Sequence, residues 1–426
     1  MNLLDPYLDS SYKGFAPGHG PLRLSEVGAQ GWNVLRGDLP FPLALIHRQR
    51  LHHNLQWMQD FTQARGIQLA PHGKTTLSPQ LFRLQMGAGA WGITFANVTQ
   101  AGIGVASGIR NCLVANQVFQ PTDLHGITRL RQADVGLRIV FLIDSQAQLD
   151  LVEAWYDANT PAKPFEVLLE IGLDGGRTGC RSHAQALALA RALRQSSAVC
   201  LVGIECYEGL WATGDSAKDK ILASALMARV QAIATACDQG QLFECDEIIL
   251  SAGGSAIFDL VAEHLSPRLS QPVRGLLRSG CYVTHDQGTY KRMVNLVQQR
   301  LGCADGLQAA MEVWAAVQSL PEPGLAILTV GKRDISHDQQ MPIPLLTCTR
   351  GGPPCAVPDS WRISALNDQH AYLQMDSMDL AGTPGLQVGD LVGLGISHPC
   401  TTFDKWRWMP LVDADYNVVD AVSTCF

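Results

Sequence analysis

Between residues 42 and 300 the chain alternates short apolar runs with longer amphipathic ones, and this alternation limits the possible folds more than any other feature. PLALIH (42–47) reads as a strand, and the stretch from Arg48 to Arg65 carries Leu51, Leu55, Met58 and Phe61 near helical spacing. IQLAPHGK predicts a strand ending in a turn, followed by a helix through Leu81, Leu84 and Met86. Further strands are expected at WGITFA (91–96), NCLVAN (111–116), LRIVFLI (137–143), FEVLLEIG (165–172), CLVGIEC (200–206) and DEIILSAGG (246–254), with helical patterns at 183–195 and 217–237. Strands that are apolar throughout and separated by helices imply a parallel sheet covered by those helices. About eight such units over roughly 260 residues fit a closed α/β architecture, a (β/α)8 TIM-like barrel, better than an open sheet.

After residue 300 the pattern changes. AMEVWAAVQSL, LAILTVGK, WRISALN, HAYLQM and LVGLGIS are strand-like, lie close together, and are separated by turn signals such as PEPG (321–324) and GGPPCAVP (351–358). A second, mainly antiparallel β-domain is expected there. The division that follows is an N-terminal segment 1–41 packing with the β-domain, a barrel at 42–300 and the β-domain at 301–426.

A formal charge of -7 with no grouped basic residues argues against nucleic acid as a partner. No apolar run approaches membrane-spanning length and the first residues lack a leader pattern, so a cytoplasmic protein with no membrane association is expected. The 12 cysteines include no C-x-x-C pair and form no compact framework, so most are expected to be buried thiols.

In a barrel, functional groups sit at the carboxyl ends of the strands. Lys74, in APHGKTT after the strand IQLA, is placed to form a Schiff base with a carbonyl cofactor, although a lone loop lysine is more often simply solvated. GKT is not a P-loop, because position 68 is Gln where that motif needs Gly. SAGGS (251–255) and RSGCYVTHD (278–286) follow the last strands, and together their amides and hydroxyls suit a phosphate. DGGRTG (174–179) puts Arg177 at another strand end, where a guanidinium can hold the phenolate oxygen or ring nitrogen of an aromatic cofactor, although a lone arginine there is more often a partner for a surface carboxylate. In SHPCTTFDKW (397–406), His398 and Cys400 two residues apart on an extended strand would face one point, a nitrogen and sulfur pair that favours zinc. A buried thiol beside an unrelated histidine gives the same spacing. Asp404 is a candidate acceptor for the imidazole.

PHGKTTLSPQLFRLQMGAGAWGITFANVTQA (71–101), DGGRTG, GIECYEG (203–209), SAGGS, SGCYVTHD and SHPCTTFDKW, in that order, resemble the D-serine dehydratase and D-threonine aldolase group of pyridoxal 5'-phosphate enzymes, of the alanine racemase-like fold type III. The resemblance covers nearly all of the chain beyond residue 40. It implies that Lys74 carries the cofactor, that Arg177 lies against the cofactor's ring oxygen and that Tyr207 lines the pocket. It also implies that Ser251, Gly253, Gly254 and Ser255, with the backbone of Gly280, Cys281 and Tyr282, hold the phosphate, and that His398 and Cys400 bind a divalent metal, Zn2+ first. His370, in LNDQHAYL, falls in a similar stretch without an implied role. The His-x-Cys pair resembles the dehydratase branch, where the aldolase branch typically has an aspartate as the second ligand. The activity this implies is elimination of water from a D-3-hydroxy amino acid, D-serine foremost and giving pyruvate and ammonia, with aldol cleavage of D-threonine as the alternative and a non-catalytic cofactor carrier as a remote one. A homodimer is also implied.

Overall fold

The computed structural model describes residues 2–375 and 385–426. Eight short parallel strands form one sheet: β1 (Gln68–Leu69), β2 (Ile93–Phe95), β3 (Asn111–Gln117), β4 (Arg138–Ile143), β5 (Phe165–Ile171), β6 (Val199–Cys206), β7 (Ile248–Ala252) and β8 (Val273–Leu277). β8 pairs with β1 through Leu277 and Leu69. The remaining seam, between β1 and β2, is closed by a parallel bridge between His72 and Thr94, with the Trp91 amide donating to the Leu69 carbonyl at 2.7 Å and the Thr94 amide to the Pro71 carbonyl at 2.9 Å. The sheet is therefore a closed barrel.

Strand alternation explains why these runs are apolar throughout. Val140 and Leu142 of β4 point inward with Ala70, Leu113, Leu168, Val202, Ile249 and Leu276 to fill the barrel, while Ile139, Phe141 and Ile143 point outward against the helices. Both faces are buried, each large side chain contributing roughly 1.5–3 kcal/mol. Several of the helices start where a small polar residue caps them. The Ser78 hydroxyl accepts from the Leu81 amide ahead of Pro79–Gly87, and the Asn97 side-chain Oδ1 accepts from the Gln100 amide ahead of Val98–Ala106. Arg48–Gln63, His183–Gln195 and Ser216–Gln239 occupy the expected positions. Ser216–Gln239 has the length and apolar character to cross a membrane, but it packs on the barrel through Ala223, Leu226, Met227 and Val230, all buried.

The second domain is a ten-stranded, largely antiparallel sheet built around the long strand Met311–Glu322, which pairs with Leu391–Gly395 and Leu325–Leu328. One expectation is corrected here. PLALIH does not enter the barrel: Leu43–His47 pairs antiparallel with Met311–Trp314 and parallel with Leu411–Val412. All five of its residues are buried, as in a barrel strand, so apolar pattern alone does not say which sheet it joins. The barrel reaches eight strands instead through VRGLL of β8, whose arginine and glycine weaken its apolar signal. The N-terminal residues contribute the hairpin Tyr7–Leu8 and Leu22–Arg23 and the short helix Leu24–Ala29, which lies against Val418–Ser423.

Candidate active site

The carboxyl ends of the barrel strands and the segment 398–400 of the second domain enclose a cavity of about 290 Å³. Lys74 enters it from the single turn Gly73–Thr75 after β1. A side chain at position 73 would have its Cβ 2.7 Å from Ile93 Cγ2 and 2.9 Å from the Phe82 ring, so only glycine lets this turn press onto the barrel wall and present the lysine outward. Arg177 reaches the cavity from the loop after β5. That loop is pinned by the Thr178 hydroxyl donating to Glu170 at 2.6 Å and by Arg181 donating to the carbonyls of Thr178 and Gly176 at 2.6 and 2.7 Å. The Arg177 guanidinium lies 5.3 Å from the centre of the Tyr207 ring, which follows β6.

The two glycine turns are more differentiated than the sequence suggested. Gly253, Gly254, Ser255, Gly280 and Cys281 line the cavity. The amides of Gly253 and Gly254, however, donate to the buried carboxylate of Glu208 at 3.0 and 2.6 Å. They are therefore not free for an anion, and the Ser255 hydroxyl is the side-chain group this turn offers; it also accepts from the Cys281 amide at 3.3 Å. Ser251 lies below the cavity, donating to the Leu276 carbonyl at 3.1 Å and accepting from Arg278 at 2.5 Å. Tyr282 turns its ring into the core, where its hydroxyl accepts from Gln85 at 3.4 Å, and it is not among the residues that line the cavity.

His398 and Cys400 both line the cavity, but not as neighbours on a strand. Pro399 has helical dihedrals and Cys400 opens the one-turn helix Cys400–Phe403. The two side chains nevertheless converge. Asp404 does not orient the imidazole, pairing instead with Lys405 at 3.3 Å. Asp338 does so, with Oδ2 2.6 Å from His398 Nδ1 and Oδ1 accepting from the Thr401 hydroxyl at 2.6 Å. That bond leaves Nε2 for another partner. Burial disfavours the charged His398 ring, but the Cys400 sulfur and the Asp338 carboxylate outweigh it and hold the ring up to about 9. Hydrogen bonding from Cys281 holds the Cys400 thiol well below its usual range, with His398 and Thr75 adding to it against the opposing effect of burial. Among the described residues no three His, Cys, Asp or Glu side chains gather into a ready-made metal cluster. A metal at His398 and Cys400 would keep positions open to substrate, and the nitrogen and thiolate donors with an oriented imidazole fit zinc. His370 lies in the turn between Arg362–Leu366 and Ala371–Gln374, apart from the cavity.

Several residues reach the cavity without having been singled out. Arg278, at the end of β8, is 4% exposed and is held by Glu205, by the Cys206 carbonyl at 2.9 Å and by Ser251. Burial pushes the Glu205 carboxyl up to about 8 even against the Arg278 charge, and Glu205 Oε2 has no partner. His72 also has an unpartnered buried atom, Nδ1; burial first, then the charges of Lys74, Arg278 and Arg177, hold its ring well below the usual range and so neutral. Asn116 and Thr75 complete the barrel side. Tyr290 covers the cavity because Asp286 accepts from the amides of Gly288, Tyr290 and Lys291 at 2.9 to 3.3 Å and fixes the start of Thr289–Leu301. Asn116 and Arg278 obey the strand-end rule and were open to it. A glutamate inside CLVGIEC was a signal as well, whereas nothing local marks Asp338. The unpartnered atoms of His72 and Glu205, together with the amine of Lys74, are what a polar aromatic aldehyde bearing a phosphate would satisfy, so the cavity fits pyridoxal phosphate.

A closed (β/α)8 barrel with a lysine after its first strand, glycine turns after its last two and an antiparallel domain at its mouth defines an alanine racemase-like, fold type III pyridoxal-phosphate enzyme. Residues 46–269 match the family described as alanine racemase, N-terminal domain, and residues 310–412 match the putative serine dehydratase domain. The first match spans more than half of the chain, and the chain belongs to that family. D-threonine aldolase from Arthrobacter sp. is 26% identical over 359 residues, 82% of this chain and 83% of the relative. D-threo-3-hydroxyaspartate dehydratase from Delftia sp. (strain HT23) is 32% identical over 152 residues, 36% of this chain and 39% of the relative. The crystal structure of D-threonine aldolase from Filomicrobium marinum superposes with a TM-score of 0.77 at 23% identity, covering 92% of this chain and 97% of that one. This last likeness establishes the fold.

Proposed function

We propose that this chain is a pyridoxal-phosphate- and zinc-dependent lyase that eliminates water from D-3-hydroxy amino acids, with D-serine to pyruvate and ammonia as the leading reaction. The observation that carries the proposal is the pair His398 and Cys400, oriented by Asp338 and facing the same cavity as Lys74. The names of the relatives support a D-3-hydroxy amino acid substrate, and a cysteine-to-alanine mutant of D-threo-3-hydroxyaspartate dehydratase has been solved in a metal-free form. A cytoplasmic homodimer is part of this reading.

When bound, pyridoxal phosphate supplies an electron sink for the carbanion at Cα, and the metal supplies a Lewis acid for the β-hydroxyl. The chain does the rest. Lys74 would hold the cofactor through its amine, and that Nζ, when free, is the base that would take the proton from Cα. Arg177, beside the Tyr207 ring, would hold the ring oxygen, while the Ser255 hydroxyl and the backbone at Gly280 to Tyr282 would hold the phosphate. His398 Nε2 and the Cys400 sulfur would hold the metal. Tyr290 roofs the site and limits water.

Incubating D-serine, D-threonine and 3-hydroxy-D-aspartate with and without zinc tests the proposal. Zinc-dependent release of ammonia and a 2-oxo acid is expected; glycine plus an aldehyde would establish aldol cleavage instead, the reading that the long similarity to D-threonine aldolase favours.

A further inference from the structure

Two cysteines far apart in sequence meet at the mouth of the cavity. Cys281 follows β8 on the short turn Cys281–Val283, Cys400 opens its helix 119 residues later, and their Sγ atoms lie 3.7 Å apart. The Thr75 hydroxyl touches both, 4.0 Å from Cys281 and 3.5 Å from Cys400, and keeps the sulfurs side by side. Both line the cavity, so a small solute that reaches Lys74 reaches the pair. Among the described residues no other two cysteines make a hydrogen bond through sulfur, and all 12 are free thiols. Bonding would bring the sulfurs about 1.7 Å closer, a movement within the range of side-chain rotation. The chemistry proposed above uses the Cys400 sulfur and gives the Cys281 side chain no role.

We propose that Cys281 and Cys400 are a modification site: peroxide converts them to a reversible disulfide that competes with the metal for the Cys400 sulfur. The bond itself follows from the two sulfurs; the competition rests on the reading of Cys400 as a metal ligand. Cys400 attacks the O–O bond of hydrogen peroxide, giving a sulfenic acid and one water. The Cys281 sulfur then displaces the hydroxyl, forming the S–S bond and a second water. In sum two thiols lose two electrons and two protons, and one peroxide becomes two waters. A dithiol returns both electrons and protons and restores the pair. Cys281 in this way intercepts Cys400 before it reaches the irreversible sulfinic and sulfonic acids.

The test treats the full chain, loaded with pyridoxal phosphate and either stripped of metal by a chelator or saturated with zinc, with hydrogen peroxide. Peptides are then mapped by mass after alkylation of the remaining thiols. The metal-free chain is expected to yield the Cys281–Cys400 linked peptide, which dithiothreitol reverses, and zinc is expected to slow linking by about tenfold or more. A metal-free chain that yields no linked peptide overturns the disulfide while leaving the metal reading intact. Equal linking with and without zinc overturns the competition, and with it Cys400 as a ligand, while the bond stands. In Cys281→Ser the Cys400 peptide is expected to carry sulfinic acid that dithiothreitol does not remove; full recovery of its thiol would overturn the protective role of Cys281.

Discussion

Both ends of the barrel are hollow, and they differ in what their charges do. The cleft at the amino ends of the strands is about 400 Å³, larger than the cavity at the carboxyl ends. Three of its carboxylates meet arginines, Glu166 with Arg138 at 2.6 Å, Glu244 with Arg194 at 3.0 Å and Glu247 with Arg274 at 2.5 Å, although Glu244 Oε2 is buried without a partner. At the carboxyl end Glu205 Oε2 and His72 Nδ1 are buried without partners, and two cysteine sulfurs and an imidazole are held against one another. Volume does not distinguish a site from a crevice here. Nor does a lone buried atom without a partner, since each end has at least one; the carboxyl end differs in gathering a neutral imidazole, a carboxyl pushed up to about 8, a lysine amine and two sulfurs around one cavity.

Each prediction sets one end against the other. The largest effect is expected from Lys74→Ala, which should remove the Schiff-base absorbance and lower kcat/KM on the order of 10³-fold or more; a retained absorbance would overturn the lysine assignment. Chelation or Cys400→Ala should suppress elimination roughly 100-fold with the cofactor still bound, read by ammonia release beside the visible spectrum. Asp338→Asn should weaken zinc binding by about 10- to 100-fold, because a neutral amide oxygen replaces the charged carboxylate that orients the His398 ring, and titration with a competing chelator measures this.

Stability should respond to acid through the scaffold of the carboxyl end. Burial, with the Lys291 charge adding, depresses the His285 ring from 6.5 to about 3 in the folded protein. The unfolded chain therefore takes up this proton first as pH falls, and the stability present above pH ~6.5 declines progressively towards pH ~3, by a few kcal/mol at most. Thermal unfolding of His285→Asn should show a shallower decline over that window than the unaltered chain. At the amino end, Arg138→Met should cost about 1 kcal/mol or less and leave kcat/KM within roughly twofold, because a partly exposed ion pair contributes little; a large loss of activity would break the contrast between the ends.

The barrel was legible in the sequence because its strands are buried on both faces, and a run such as LRIVFLI has few other uses. The same property hid the partner of PLALIH, since a central strand of any covered sheet reads alike. The glycine turns were legible as turns, but Glu208 bonding to the Gly253 and Gly254 amides depends on β6 and β7 being neighbours, a relation between strands that no window of sequence contains. His398 and Cys400 were identified by type and spacing, although a helical turn rather than an extended strand brings them together. Asp338 stands 60 residues before His398 in a loop without any signature, and only the packing of the second domain brings it to the imidazole.

Leu43–His47 gives the order in which the molecule can be completed. This strand leaves the ribosome before any part of the barrel, yet its partners Met311–Trp314 and Leu411–Val412 are made only after the last barrel strand. At about 5–20 residues per second, a finished barrel waits several seconds or more for the sheet that carries His398 and Cys400. Nascent chains can thus have Lys74 in place while the segment carrying His398 and Cys400 does not yet exist, and a chain released early would keep the lysine without the residues proposed to direct it toward elimination.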